Sequence, residues 1–352
     1  MKITAQTALQ LREMIDKVVR IDATENDDGT TCFPKTSHVF EKESIFALMA
    51  AIGAGRPLLV RGVPGTGKSQ LARAAAKVLA WDFETKVVDA HTEVADLFFT
   101  FDAVERLAHA QIFGALHASR PVTSEKIRSD LDVMGFVRPG PLWRAFDPRG
   151  AAKQVEEYRA REIERGTVAV EQAGQGNKET AKPASERGHV VLIDEIDKAD
   201  PSVPNGLLEA LGQGTFSVLG RATVSLHGSN RPAPLIVITT NEERELPSAF
   251  VRRCVVLELR LPEREPELRT WLERRGTAHF EGKGVLDLLN EATTALLEDR
   301  ARARERRQPP PGLAEYIDLL RALDALGDVA NLQEIRQAVF GKHLADDAMN
   351  GQ

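Results

Sequence analysis

Cysteine is nearly missing from this chain of 352 residues: Cys32 and Cys254 are the only two, far apart in sequence. That excludes a disulfide scaffold and a cysteine-rich metal site. Also missing is any apolar run of membrane-spanning length, so no transmembrane helix is expected and the cytoplasm is the default location. A surplus of positive charge is lacking too. With a formal net charge of -6, nothing in the overall balance draws the chain to nucleic acid, although a local basic patch stays open. What is left is ordinary: 42% hydrophobic and 28% charged residues describe a globular protein able to bury a sizeable core, with a length suited to about two domains.

One stretch stands apart. Val60 to Ser69 reads VRGVPGTGKS, which fits G-x-x-x-x-G-K-[ST] from Gly62 onward. Gly62, Gly65 and Gly67 permit positive φ and leave room for backbone amides to wrap a phosphate chain. Lys68 brings a charge to the β- and γ-phosphates, Ser69 a hydroxyl to Mg²⁺, and the helix starting there turns its positive end to the anion. Both flanks agree. Pro57 to Val60 reads as a buried strand, and Leu71, Ala75, Val78 and Leu79 mark one face of a helix.

Four further strands are expected at Lys86 to Ala90, Val190 to Ile193, Leu235 to Thr239 and Val255 to Leu259. Near-continuous apolar runs of this kind suit a parallel sheet covered on both faces, hence an α/β, doubly wound fold. Upstream, Ala8 to Ile21 reads as a helix, residues 22–37 as a loop, and Phe40 to Ala54 as a second helix, beside which an adenine could rest. The interval from Ala90 to Gly188 is far longer than one crossover needs, so it carries an insertion. Within it, Val94 to His117 has helical spacing, Trp143 and Phe146 look exposed, and the polar segment Gly150 to Gly188 reads as mobile. Beyond Pro262 helices take over: Arg264 to Arg275, Val285 to Arg304, Leu313 to Leu326 and Leu332 to Leu344. The expected organisation is therefore an N-terminal helix and loop over 1–37, an α/β domain over 38–263 with the insertion at 91–188, and a helical domain over 264–352.

The strand ending at Ile193 runs straight into Asp194-Glu195. Carboxylates at the carboxyl end of a parallel strand face the crevice where such sheets bind ligands. Asp194 can hold Mg²⁺, and Glu195 can polarise the water that attacks the γ-phosphate, which favours hydrolysis over transfer to a second substrate. Asn241, after the fourth strand, is placed to orient that water or to touch the γ-phosphate. Arg252-Arg253 precede the fifth strand. They read either as surface charge or as guanidinium groups reaching a neighbouring subunit's γ-phosphate, which requires a ring. Arg300, Arg302, Arg304, Arg306 and Arg307 form a basic run best read as a solvated helix face.

Gly62 to Ser69, Asp194-Glu195, Asn241 and Arg252-Arg253, in this order and spacing, resemble the AAA+ ATPases. The similarity extends to the MoxR branch through His91 to Leu97, Gly140-Pro141-Leu142, Asp194 to Ala199, Leu207 to Leu211 and a hairpin-like Phe216 to Leu226. The resemblance implies a P-loop core with strand order 5-1-4-3-2, a C-terminal helical lid, and a hexameric ring binding ATP and Mg²⁺. It also implies a β-hairpin insertion between about Leu97 and Pro141. Nucleotide contacts then fall to Gly62, Val63, Pro64, Gly65, Thr66, Gly67, Lys68, Ser69, Gln70 and Asp194, with the metal at Ser69 and Asp194. Glu195 and Asn241 take the catalytic positions, with Arg253, then Arg252, as arginine finger. The implied activity is remodelling of a protein client, with a von Willebrand factor A domain protein as partner. A nucleic-acid-stimulated motor or McrB-like GTPase is the alternative, and a scaffold that binds nucleotide without turnover is a third. One departure stands out: no arginine occupies Pro311 to Tyr316, where such families place a second sensor, leaving Arg307 or Arg321 as substitutes.

Overall fold

Along each apolar strand, successive side chains face opposite sides of the sheet, and here both sides are covered. The computed structural model describes residues 4–25, 31–117, 123–165, 187–225, 232–280, 285–326 and 332–340. Its central sheet has five parallel strands: Leu58–Arg61 (β1), Asp82–Val87 (β2), His189–Asp194 (β3), Leu235–Thr240 (β4) and Val255–Glu258 (β5). Their spatial order is β5-β1-β4-β3-β2, as the resemblance implies. Leu58, Val60, Val190, Leu192 and Val237 pack on one side against the helices Lys42–Ala54 and Lys68–Leu79. Leu59, Val191, Ile193, Ile236 and Ile238 pack on the other, against Leu142, Trp143 and Leu207.

β2 lies at Asp82–Val87 rather than at Lys86 to Ala90. It is an edge strand of sequence DFETKV, none of whose residues is fully buried, so the search for a continuous apolar run passes over it. The N-terminal expectation also needs correction. A helix spans only Ala5–Arg12, capped where Thr4 Oγ1 accepts from the Thr7 amide at 3.1 Å. Val18–Ile21 is instead a strand, antiparallel to Thr36–Val39, with Val19 and Ile21 buried. Burial alternates along it with period two, Val19 and Ile21 inward and Val18 and Arg20 outward, and its three β-branched residues favour a strand. The expected loop over 22–37 likewise holds the short paired strands Thr24–Glu25 and Thr31–Phe33.

In the insertion, Phe99–Phe101 pairs antiparallel with Val137–Pro139, and helices Ala103–His117 and Ser124–Asp130 stand between the two strands. Trp143, expected to be exposed, is buried in the helix Pro141–Phe146 with its ring edge-on to Phe216 at 5.8 Å. Nor is the whole of Gly150 to Gly188 a tether: Pro148–Arg165 is a helix. Gln154 donates to the carbonyls of Met134 and Val137 at 2.7 and 3.0 Å, and Arg138 stacks on the buried Tyr158 at 4.4 Å. Three inward residues, Ala151, Gln154 and Tyr158, suffice to dock a helix whose composition is otherwise polar. Residues 166–186 of the expected tether lie outside the described residues. Beyond it, Thr215–Val218 and Ala222–Ser225 form the expected hairpin, whose Leu226 is also outside them.

The C-terminal helices are Glu265–His279, Val285–Glu305, Leu313–Leu326 and Leu332–Phe340, the last expected to reach Leu344, which is not among the described residues. They build a core of their own around Tyr316, Leu272, Leu296 and Leu320, and the Tyr316 hydroxyl meets Thr293 Oγ1 at 2.9 Å. The basic run is not one solvated helix face: Arg300 is buried and donates to the Pro311 carbonyl, Arg302 pairs with Glu298 and Asp299, and Arg306 and Arg307 lie past the helix end at Glu305. Glu41 joins this lid to the sheet domain, accepting from Trp271 Nε1 at 2.6 Å and from Arg275 at 2.5 Å. Among the described residues no helix is long and apolar enough to cross a membrane.

Candidate active site

β1 ends at the glycine-rich turn, which leads into the helix Lys68–Leu79. Gly62 has φ +147, and a Cβ there would lie 2.5 Å from the Leu259 carbonyl oxygen. Gly65 has φ +78 and the same atom would lie 2.7 Å from Ala314 Cβ, so lid and loop touch. Backbone oxygen cannot yield as a flexible side chain can. Gly62→Ala is therefore expected to destabilise the fold by about 1–3 kcal/mol, read by urea unfolding, with weaker nucleotide binding.

Lys68 is buried and donates to the carbonyls of Gly62 and Val63 at 2.7 and 3.0 Å and to Asn241 Oδ1 at 2.7 Å. Burial lowers its pKa, opposed by the charges of Asp194, Asp197, Glu195 and Glu242. Ser69 Oγ lies 3.0 and 2.8 Å from the two carboxylate oxygens of Asp194, which also accepts from Thr239 Oγ1. Thr66 Oγ1 bonds the Val63 carbonyl at 3.0 Å and steadies the turn. Pro64, Gly65, Gly67, Lys68, Ser69 and Gln70 all line one cavity, together with Asp194, Glu195, Thr239 and Asn241. The glycine-rich turn, β3 and β4 thus converge on one point.

Glu195 has left-handed backbone, φ 61, and its amide donates to Thr239 Oγ1 at 2.9 Å. Its carboxylate accepts from Lys198 Nζ at 2.7 Å and from Asn241 Nδ2 at 3.3 Å. Asn241 therefore bridges Lys68 and Glu195. The buried Asp197 fixes the turn after β4 by accepting from the amides of Asn241 and Glu243 at 3.2 and 3.0 Å. Neither Asp197 nor Lys198 was assigned a task from sequence. Their signal was their spacing from Asp194-Glu195, two and three residues past the glutamate.

The cavity measures about 400 Å³, within the range of small-molecule sites. Its far wall comes mostly from places the sequence did not mark, Phe33, Pro34, Thr36, Arg73, His279, Ile317 and Asp318, together with the candidate Arg321. No residue of Phe40 to Ala54, where an adenine was expected to rest, lines it; Phe33, Pro34 and Thr36 of the preceding segment do. Arg73 builds that wall, stacking on Phe33 at 4.9 Å and donating to the Asp22 and Pro34 carbonyls at 2.9 and 3.3 Å. Burial, then the charge of Arg321, brings His279 down to about 4, so its ring is neutral at pH 7. Of the two candidates for a second sensor, Arg321 lines the cavity and Arg307 does not.

Arg252 and Arg253 are exposed, follow the short helix Ser248–Val251 and lie outside the cavity. Within one chain they do not meet the other candidate residues. Cys254 next to them is a buried thiol, pushed up to about 11 by desolvation.

Among the described residues no cluster of three or more His, Cys, Asp or Glu could hold a metal. A hard cation that keeps several waters and takes few protein ligands is what one hydroxyl and one carboxylate at 2.8 to 3.0 Å suit, and Mg²⁺ has that chemistry.

No curated protein matches the sequence. Among solved structures, a Cytophaga hutchinsonii protein assigned as an ATPase is 16% identical, with 84% of this chain and 78% of that one covered and a TM-score of 0.36. A RuvB variant from Thermotoga maritima is 15% identical, with 85% and 67% covered and a TM-score of 0.39. A family model for the AAA domain, dynein-related subfamily, matches residues 57–254, more than half of the chain and four of the five sheet strands, so the chain belongs to that family.

Proposed function

We propose that the protein hydrolyses ATP with Mg²⁺ in a ring of like subunits and spends the energy on rearranging a protein client. Family membership supports the ATP-driven part. The carrying observation is the convergence of Ser69 on Asp194 at 2.8 Å and of Asn241 on both Lys68 and Glu195. Lys68 binds and orients the phosphates, with the amides of Gly62 to Ser69 around them. Ser69 and Asp194 would hold Mg²⁺, which when bound offsets phosphate charge. Glu195 accepts a proton from water, and Asn241 fixes that water relative to the phosphate. Arg321 reaches the cavity from the lid in place of the missing second-sensor arginine. Arg253, exposed at the edge of its own subunit, acts on the γ-phosphate of a neighbour, with Arg252 as the substitute.

The finer assignment is a MoxR-like hexamer working with a von Willebrand factor A domain protein. It is supported by the sequence matches from His91 to Leu226 and by the hairpin Thr215–Val218 to Ala222–Ser225. Two members of the arginine run are engaged within the chain, Arg300 by the Pro311 carbonyl and Arg302 by Glu298 and Asp299, which disfavours a nucleic-acid motor. DNA-stimulated, salt-sensitive turnover would reverse that preference. The ring is tested by mixing Arg253→Ala subunits with Glu195→Gln subunits. Each alone is expected to be inactive, and the mixture should regain part of the turnover, because one subunit supplies the arginine and its neighbour the glutamate. No recovery in rings shown to contain both variants would rule the trans arrangement out.

A further inference from the structure

We infer that Lys198 is a positioning residue for hydrolysis, holding the Glu195 carboxylate in the orientation from which it acts on water. The inference rests on the role given to Glu195 above. Glu195 leaves β3 in a left-handed conformation, φ 61 and ψ 47, which a side-chain-bearing residue adopts only when its surroundings impose it. Thr239 Oγ1 holds its amide, and the Lys198 amide closes the turn on its carbonyl at 3.0 Å. The carboxylate then has one donor on each oxygen. Asn241 Nδ2 at 3.3 Å is the weaker, and the same side chain is also committed to Lys68 through Oδ1. Lys198 Nζ at 2.7 Å is the stronger, since a charge-assisted bond is roughly twice as strong as a neutral one.

Charge makes the same point. Asp194, Asp197 and Glu242 surround Lys68 together with Glu195, and a bound triphosphate adds negative charge where they meet. Repulsion would turn an untethered Glu195, whose side chain is already 30% exposed, out toward water. Lys198 is the cation that offsets it. The hydrogen bond to Glu195 raises the Lys198 pKa, which keeps that cation in place. A partly exposed ion pair contributes little to stability, so the effect belongs to turnover rather than to folding.

Steady-state kinetics of Lys198→Ala, Lys198→Arg and Glu195→Gln, with titration of a fluorescent ATP analogue, test this. Lys198→Ala is expected to lower kcat by about ten- to a hundredfold, while KM and analogue affinity change less than about twofold. Lys198→Arg should recover most of kcat, because a guanidinium can donate to the same oxygen. Adding Lys198→Ala to Glu195→Gln should cost nothing further, since residues acting through one another are not additive. An unchanged or raised kcat in Lys198→Ala, with Glu195→Gln inactive, overturns the inference and leaves the glutamate's role standing. Equal loss of kcat and affinity also overturns it, reducing Lys198 to a structural part. Full turnover in Glu195→Gln removes the base itself, and Lys198's task with it.

Discussion

Lys68→Ala is expected to leave a folded chain that no longer binds nucleoside triphosphate measurably. In the structure this ammonium is 7% exposed and makes three hydrogen bonds, to two carbonyls of its own loop and to Asn241. Its charge also faces those of Asp194, Glu195, Asp197 and Glu242. Without it the site would present an acidic surface to a polyanion. Losing the ammonium and meeting that repulsion together should weaken binding by at least about a hundred- to a thousandfold, or roughly 3–4 kcal/mol. The fold should survive. The apolar clusters on either side of the sheet are untouched. Titration with a fluorescent ATP analogue, beside circular dichroism to confirm folding, reads both parts. Retained affinity in a folded variant would mean that the turn after β1 does not hold phosphate.

Glu195→Gln separates binding from chemistry. An amide fills nearly the same space as the carboxylate but cannot take a proton from water, so kcat should fall by about 10²–10⁴. Affinity should hold, because Lys68, Ser69 and the loop amides are unchanged. One contact will be disturbed: an amide can accept from Lys198 or from Asn241 but presents an NH₂ group to the other. A modest change in KM is compatible with that; undiminished phosphate release is not. The same variant should trap a client under ATP, which makes it the bait for finding one.

Two kinds of residue were visible before folding. The glycine-rich turn and the acidic pair carry their chemistry in contiguous residues, so both are located by reading, and β1, β3, β4 and β5 follow from runs of Val, Leu and Ile. Elements whose burial is one-sided or thin were misread. β2 spreads polar side chains along an edge, the four-residue strand Val18–Ile21 follows directly on a helical pattern, and the helix Pro148–Arg165 hides its docking face among charges. In each case the deciding partner lies far along the chain, as Thr36–Val39 does for Val18–Ile21 and Val137 for Gln154.

The sequence by itself determined the glycine-rich turn, the carboxylates at the end of β3 and the parallel sheet that presents them, because each rests on local spacing and hydrophobic pattern. Only the tertiary structure decided that Phe33, Thr36, Arg73 and His279 wall the cavity, that Arg321 rather than Arg307 reaches it, and that Lys198 and Asn241 share one carboxylate. Those groupings arise where the lid and the N-terminal strands fold over the ends of β3 and β4. Proximity created by packing leaves no periodic trace in the chain.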